Sequence, residues 1–559
     1  MGHALSAWFG GRDIVRLRGR IGGIGRSVNG IGRSTNGHPA AGRLPAVTRW
    51  IALVLAAPLA ACAVAPKPYV STGYSLTSAK RMFAVGYDHI ADKYITSVDG
   101  DRLTMHGIEG LTMIDPAIAL VRKGDRIELH RDGTLVSDFA VPQGDDPQDW
   151  AYLTANIMHA GRAASPLLGE ASAERLYDAV YTGITRDLDV YSRYATADAA
   201  RLARAAREGF GGIGIRVRLN AADGRLEVVS VMADSPAAEH DLKPGDVLLE
   251  IDGESLKDLP QREAVKRLRG PVNSAIRLTV YRPQTGSTRA FTVARAHIVP
   301  NTASYERDGD VGVIRLTHFN QKTAQNLTAE IEKALQDGDR PSGLILDLRS
   351  NPGGLLDKAV EVADVFLRDG RIVSTAGRHQ DSYQMFDATE GDLTNDMPLA
   401  VLINGNTASA SEIVAAALQD GRRAVVIGSN SYGKGTVQTV VHMPNHGELI
   451  VTWSRIRAPS GYLLHDLGIL PTLCTSGNGG DAATVVRTLR DDYARTKELM
   501  MAWRAATEPE YESLSELRAA CPANVDAEDV DMQVARMLLE DHALYAQALA
   551  LSFTEVAER

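Results

Sequence analysis

Apolar and polar positions change texture several times along the chain, and each change predicts a different kind of structure. Trp50 to Ala61 is an apolar, uncharged run. It is shorter than the ~20 residues a membrane span needs and fits the apolar region of a secretory leader. Residues 63–80 are polar and suit a tether. From about Met82 to Arg207 apolar residues recur mostly at helical spacing, with a break near Leu188-Asp189. The earlier stretch MHGIEGLTMIDPAIALV is a loose echo of the later helical one, and a short β-like piece, IELHRDGTLVSDF, lies between them.

From Gly209 the texture turns to β. GFGGIGIRVRL, RLEVVSVM, GDVLLEIDG and IRLTVYRP read as short strands bounded by turn residues. QREAVKRLRG reads as a short helix ending at Gly270. From about Tyr305 strands and helices alternate. VGVIRL, GLILDLR, PLAVLIN and RAVVIG are buried-type strands, with helices predicted over Thr323–Gln336, Leu355–Phe366 and Ala410–Gln419. That alternation is the mark of an α/β sheet with crossover helices. After about Thr475 a brief Gly-rich stretch gives way to helix. The organisation read from this is a leader (1–62), a tether with an N-terminal helical domain (63–208), a β-domain (209–297), an α/β core (298–476) and a helical tail (477–559).

Composition narrows the function classes. The chain has 559 residues, 44% of them apolar, and a formal charge of −9. Its first 61 residues carry +7, so the remainder is acidic at −16. An acidic body excludes nucleic acid as a partner, because phosphate binding needs clustered cations. There is no CxxC pair and no HExxH motif, so no metal site and no cofactor are expected.

Leu59-Ala60-Ala61-Cys62 resembles the bacterial lipobox, which implies lipidation of Cys62 and attachment to a membrane. The plainer alternative is a secretory leader with a chance cysteine. Export would put Cys474 and Cys521 in an oxidising compartment, where a disulfide between them is plausible. Two buried free thiols are the other reading. The Arg/Gly-rich stretch before Arg43 holds a near-repeat, IGRSVNG and IGRSTNG, and is assigned no fold.

The loop Gly209-Phe210-Gly211-Gly212-Ile213-Gly214 opens a strand. Glycines let several backbone N–H groups converge on one point, which can hold a carboxylate. With LKPGDVLLEIDG (242–253) and the helix 261–269, this loop resembles a PDZ domain. Such domains take a peptide's terminal carboxylate while the peptide adds as a strand. A PDZ that packs internally as a lid is the competing reading.

Ser409 begins a predicted helix in PLAVLINGNTASASEIVAAALQDG (398–421). A side chain there faces converging N–H groups and the positive end of the helix dipole, a suitable place to stabilise an oxyanion. Ser409-Ala410-Ser411-Glu412 is also a capping box, in which the serine merely caps. Lys434 lies in a Gly-flanked turn before the strand Thr436–Met443. If 434–438 is extended, Lys434, Thr436 and Gln438 share a face, and Gln438 can accept a hydrogen bond from the lysine amine. Gly428-x4-Gly433-Lys434 nearly matches a P-loop. Gly435 replaces the required hydroxyl residue, and a β-rich run follows where a helix should start. Leu346-Asp347-Leu348-Arg349-Ser350-Asn351-Pro352-Gly353-Gly354 follows a buried-type strand, and its glycines can present an N–H toward Ser409.

Taken in order, GFGGIGI, LKPGDVLLEIDG, LILDLRSNPGG, TASASEI, SYGKGTVQT and RAPSGYLLHDLGILPT resemble the carboxyl-terminal processing, or tail-specific, proteases over about residues 85–475. The resemblance implies a multidomain α/β fold: an N-terminal helical region, an inserted PDZ β-domain, a crotonase-like protease core and a C-terminal helical tail. It implies Ser409 as nucleophile, Lys434 as general base, Gln438 as its partner, and the Gly354 and Ala410 amides as oxyanion donors. The function it implies is an exported serine endopeptidase that cleaves proteins and peptides with free C-termini. Its place would be the periplasmic side of a bacterial cell envelope. An adaptor lipoprotein and self-association through the tail helices are possible accompaniments. The alternative is a catalytically silent, membrane-anchored PDZ scaffold.

Overall fold

Ser75 opens the first helix, Leu76–Lys93, by accepting a hydrogen bond from Ser78 N–H. This computed structural model describes residues 73–552, apart from 221–222, 337–339, 390, 478–480 and 508–510. The leader and Cys62 lie outside the described residues. The last residues of the expected tether therefore belong to a helix. Met82, Phe83, Tyr87 and Ile90 give that helix a buried face.

The helices Gly100–Glu109, Pro147–Ala164 and Ala173–Arg186 complete the N-terminal bundle, and three antiparallel strands (118–140) pack on it. Here one expectation is corrected. MHGIEGLTMIDPAIALV is helix only to Glu109, followed by a short 3₁₀ turn to Met113, and Ile118–Lys123 is a strand. Pro116 lacks the N–H that a continuing helix needs, and Ile118–Lys123 pairs residue for residue with Arg126–Arg131.

The PDZ sheet runs Ser287–Ala294, Ala275–Arg282, Val247–Ile251, Leu226–Val231 and Ile215–Leu219, in that spatial order. The helix Gln261–Leu268 buries Ala264 and Leu268 in the same small core. Asp246, fully buried, is balanced by Arg282 Nε at 2.8 Å. A buried carboxylate needs such a partner.

The protease core is a six-stranded sheet whose spatial order is its chain order. β1 (Ala303–Asp308) pairs antiparallel with β2 (Val311–Leu316). From β2 onward, β3 (Gly343–Asp347), β4 (Leu399–Ile403), β5 (Val425–Gly428) and β6 (Leu473–Cys474) run parallel. Every residue of β3 and β4 is buried, as a parallel sheet covered on both faces requires. Alternate residues serve opposite faces. Leu344, Leu346, Val401, Ile403 and Val426 meet α1 (Thr323–Gln336), α2 (Leu356–Asp364) and α3 (Ala410–Asp420). Ile345, Ala400, Leu402, Val425 and Ile427 meet the tail helices Ala482–Asp491, Glu528–Glu540 and His542–Leu551. The tail thus packs onto the core and covers its second face. Cys474 and Cys521 are disulfide-bonded, which ties β6 to the tail.

A second sheet stands beside the core. In spatial order it holds Gln384–Asp387, Arg371–Ala376, Glu448–Arg457 and Thr436–His442. Arg193–Ala195, from the N-terminal region, pairs with Glu448–Ile450. That short strand was not legible in the sequence, and it brings the N-terminal region up to the core.

Candidate active site

Three turns leave the carboxyl ends of the neighbouring strands β3, β4 and β5. Ligands and chemistry gather at this end of parallel sheets. After β3, Asp347 holds Arg349 through two bonds of 2.9 and 3.0 Å, both residues being buried. Asn351 then organises the turn. Its Oδ1 accepts from Gly353 N–H at 3.0 Å and its Nδ2 donates to the Leu316 carbonyl at 2.9 Å. Its own carbonyl accepts from Ala408 N–H and from Ser411 Oγ, each at 3.0 Å. The turn is thereby fastened to the one that carries Ser409.

Glycine is required here. Gly353 has φ +95°, and a Cβ added to it would sit 2.8 Å from both Ala410 N and Ser409 Cβ. Gly354 has φ +154° and lies against the Phe319 carbonyl, where a Cβ would come within 2.1 Å. Phe319 N–H donates to the Gly353 carbonyl at 3.1 Å and Leu355 N–H donates to the Phe319 carbonyl at 3.0 Å. Neither bond uses Gly354 N–H. Ala410 N–H, the first amide of α3, is likewise without a partner among the described residues. Neither the Gly354 nor the Ala410 N–H therefore has a hydrogen-bond partner among the described residues.

Ser409 stands at the N-terminus of α3 with φ 59° and ψ −118°. That region is uncommon for a residue with a Cβ and costs of order 1–3 kcal/mol. The residues of the capping box are present, but Glu412 N–H donates to the Ser409 backbone carbonyl at 2.8 Å. Glu412 has a larger part than a reciprocal cap. Its side chain is fully buried. Oε2 accepts from Ser409 N–H at 2.6 Å and from Lys434 N–H at 3.0 Å. Oε1 accepts from Ser431 Oγ at 2.6 Å and from Gly433 N–H at 2.7 Å. One carboxylate therefore joins the backbones of the Ser409 and Lys434 turns. Burial pushes its carboxyl above the usual range, and the four donors oppose that.

Lys434 is half-buried, with Nζ 5.3 Å from the centre of the Tyr191 ring. Among the described residues its amine has no hydrogen-bond or ion-pair partner. Burial, helped by the nearby Arg193, lowers its pKa from 10.5 to about 8, against the pull of Glu412 and Asp189. Both flanking glycines are needed. A Cβ on Gly435 would lie 1.9 Å from His465 N, and one on Gly433 would lie 3.1 Å from the Asp466 carbonyl carbon.

The expected bond between Gln438 and the lysine amine is not made. Gln438 Nε2 donates to Thr436 Oγ1 at 2.9 Å and to Thr452 Oγ1 at 3.3 Å, and Thr452 Oγ1 donates to Asp189 at 3.1 Å. The strand begins only at Thr436, so Lys434 precedes it and the alternation that pairs Thr436 with Gln438 does not extend back to the lysine. His442 is exposed and turned toward Glu448, 3.9 Å away. His465 lies beside Tyr191 and Asp466, and burial lowers its pKa.

The glycine loop of the PDZ domain is a separate place in the structure. Phe210–Gly212 pairs with Ala296–Ile298, and Gly209 and Gly214 both have positive φ. The carbonyls of Gly211, Ile213 and Gly214 are taken by the N–H groups of Gly270, Ala237 and Met232. Arg269 lies 3.9 Å over the Phe210 ring. On the edge strand Ile215–Leu219, Gln261 accepts from Leu219 N–H and donates to the Val217 carbonyl.

Sequence reasoning missed Glu412 as a joint, Asn351 as a fastener, and the contribution of Asp189, Tyr191 and Arg193. A signal existed for Glu412: it is the single charge in the helix start ASEIVAAAL, where burial demands partners. Among the described residues no cluster of His, Cys, Asp or Glu could hold a metal ion, and no helix is long and apolar enough to cross a membrane.

Comparison with known proteins fits this architecture. The model of peptidase family S41 matches residues 310–474, and that of the PDZ domain matches residues 203–281. Fold and site thus define a PDZ-containing peptidase. A carboxy-terminal-processing protease of Bartonella bacilliformis is 41% identical over 304 residues, covering 54% of this chain and 69% of the relative. A carboxyl-terminal-processing protease of Synechocystis sp. is 36% identical over 265 residues, covering 46% of this chain and 61% of the relative. The solved photosystem II D1 C-terminal processing protease is 24% identical, covers 70% of this chain and 98% of its own, and has a TM-score of 0.34. The chain belongs to the carboxyl-terminal-processing protease family.

Proposed function

We propose that the chain is an exported serine endopeptidase in which Ser409 is the nucleophile and Lys434 the general base. The observation that carries this reading is the shared Glu412 carboxylate. It binds the backbones of a strained serine and of a lysine that has no hydrogen-bond or ion-pair partner for its amine among the described residues and whose pKa burial lowers to about 8. In this reading neutral Lys434 takes the Ser409 proton and the alkoxide attacks the scissile carbonyl. The Gly354 and Ala410 amides then stabilise the oxyanion, the C–N bond breaks as protonated Lys434 gives its proton to the departing amine, and water activated by the neutral lysine hydrolyses the acyl-enzyme to the carboxylate and free Ser409. Gln438 acts at a distance, by joining Thr436 on the strand that follows the lysine to Thr452 on the neighbouring strand.

The Gly209–Gly214 loop selects substrates by their terminal carboxylate, with the peptide added along Ile215–Leu219. A bound peptide must displace Gln261 from that edge. The same proposal holds the chain by lipid on Cys62 at the periplasmic side of a bacterial envelope, with an adaptor lipoprotein as a possible partner. The tail's apolar faces are buried in the core, so an oligomer would use other surfaces.

A serine-reactive phosphonate tests the reading. It should label wild-type protein on Ser409 and leave Ser409→Ala unlabelled. Equal labelling of the two would overturn the assignment.

A further inference from the structure

The tail reaches the site from outside the matched peptidase segment, and each of the three turns is held by one of its residues. Asn524 carbonyl accepts from Gly405 N–H at 2.9 Å, which anchors the turn leading to Ser409. The same carbonyl accepts from Ser429 Oγ at 2.8 Å, and Asn524 N–H donates back to that oxygen at 2.9 Å. Arg518 donates to the Ser431 carbonyl at 3.1 Å and to the Leu467 carbonyl at 2.5 Å. Those carbonyls lie on the two chain segments that enclose Lys434. Asp531 accepts from Arg349 at 3.3 Å, behind the Gly353–Gly354 turn, and from Thr475 Oγ1 at 2.6 Å. Cys521, fully buried and bonded to Cys474, sits between Arg518 and Asn524.

We propose that the tail segment 518–531 is a positioning clamp for the three active-site turns, that Arg518 is its positioning residue for Lys434, and that the Cys474–Cys521 disulfide is its latch. This rests on the Ser409–Lys434 reading for its catalytic readout. The physical argument is that Glu412 holds the Lys434 turn from one side, through Ser431 Oγ and the Gly433 and Lys434 amides, while the 456–467 segment holds it from the other. Gly433 carbonyl accepts from Asp466 N–H, and Gly435 carbonyl accepts from Ile456 N–H, each at 2.9 Å. A guanidinium spanning two carbonyls fixes the separation of the segments that make those bonds, and bonds to a charged group are stronger than neutral ones. With the latch open, Glu412 still holds the turn, but the 456–467 side loosens, water reaches the lysine amine and its pKa rises. The groups that face the amine are Asp189, Tyr191 and Arg193 from the N-terminal region and Glu412 from α3, and none of them is changed by the test.

The experiment compares full-length oxidised wild type with Arg518→Gln, Arg518→Lys and Cys521→Ser, and with wild type reduced by dithiothreitol. A free-acid peptide is the substrate, at a temperature well below each melting point. The clamp predicts that kcat falls about tenfold or more in all four. The pH–rate midpoint should rise by up to about one unit. Hydrogen exchange at the Gly433 and Lys434 amides should quicken. Arg518→Lys keeps the charge but cannot span both carbonyls, so it should behave like Arg518→Gln. Full recovery in Arg518→Lys would replace positioning by charge alone and overturn the proposal. A lowered melting temperature with unchanged kcat, midpoint and exchange would overturn it too, as mere scaffolding. If oxidised wild type cleaves nothing, the peptidase reading fails alone. Exchange at the two amides then decides the clamp: faster exchange in the variants supports it, and unchanged exchange rejects it.

Discussion

The PDZ domain and the protease core each present glycine turns that approach other backbone closely, but they are built in opposite ways. The PDZ core draws its buried residues from one continuous stretch, Ile213 to Val293, and its loop carbonyls are satisfied by neighbours inside that stretch. The Ser409 site is composed of turns after three strands, a side of the N-terminal region and a segment of the tail. Its main core cluster runs from Ala303 to Cys521. A local module can change its groove without disturbing the rest. A site assembled from distant segments loses its geometry when any one of them moves. Damage to the first should therefore appear in KM, and damage to the second in kcat.

The largest effect should come from Ser409→Ala. Peptide hydrolysis should fall by about a thousandfold or more, while binding of a fluorescent free-acid peptide, measured by anisotropy, stays as in wild type. Lost binding would show that the two regions are not separable. Lys434→Met should cost nearly as much activity and yet raise the melting temperature at pH 7. Burial depresses the folded-state pKa from 10.5 to about 8, so below pH 8 the folded protein bears the full penalty of a half-buried ammonium. That penalty eases as pH rises from about 8 toward 10.5, and the methionine removes it, by on the order of 1–2 kcal/mol. The wild-type rate should correspondingly rise with pH, with a midpoint near 8. A midpoint near 10, the value of an unburied lysine amine, would overturn the lowered pKa at the site.

Glu412→Gln comes next. An amide NH₂ placed among four donors leaves at least one of them unpaired, and stability should drop by about 1–3 kcal/mol. The kcat should drop with it, since Ser409 and Lys434 lose their common acceptor; thermal melts with parallel kinetics check both. The smallest effect should come from the PDZ. A Cβ on Gly214 would lie 2.2 Å from Ser235 Cβ. Gly214→Val should raise KM by about tenfold with little change in kcat, and should abolish the preference for a free-acid peptide over its amidated twin. Retained preference would move tail recognition off this loop.

Much of the architecture was legible because its causes are local. The strands GLILD and LAVLI are apolar without interruption because both faces are covered, and that pattern survives in the sequence. The strand Ile118–Lys123 was not legible. Only its first residue is fully buried, and its apolar residues continue a helical-looking run. At the site, SxxE had a sufficient local explanation as a helix cap, which concealed the buried carboxylate that joins two turns. Apart from those of Cys474, Arg349 and Thr475, the tail contacts leave no trace on the core side. Arg518 and Asn524 engage the main-chain groups of Ser429, Ser431, Leu467 and Gly405 or a single hydroxyl, and a carbonyl looks the same in every residue. The Gln438 contact failed for a simpler reason: the strand starts at Thr436, so the expected alternation never included Lys434.

The core strands lie side by side in the order in which they are synthesised. A chain emerging from its amino terminus therefore delivers the Gly353–Gly354 turn first, then Ser409, then Lys434, and Cys521 after all of them. Parallel strands dock only once their crossovers exist, so such sheets form late. A partly made chain carries Ser409 without Lys434, or both without the segment that closes behind them. The three turns therefore come together only after the tail segment that holds them has been made and has packed against the core.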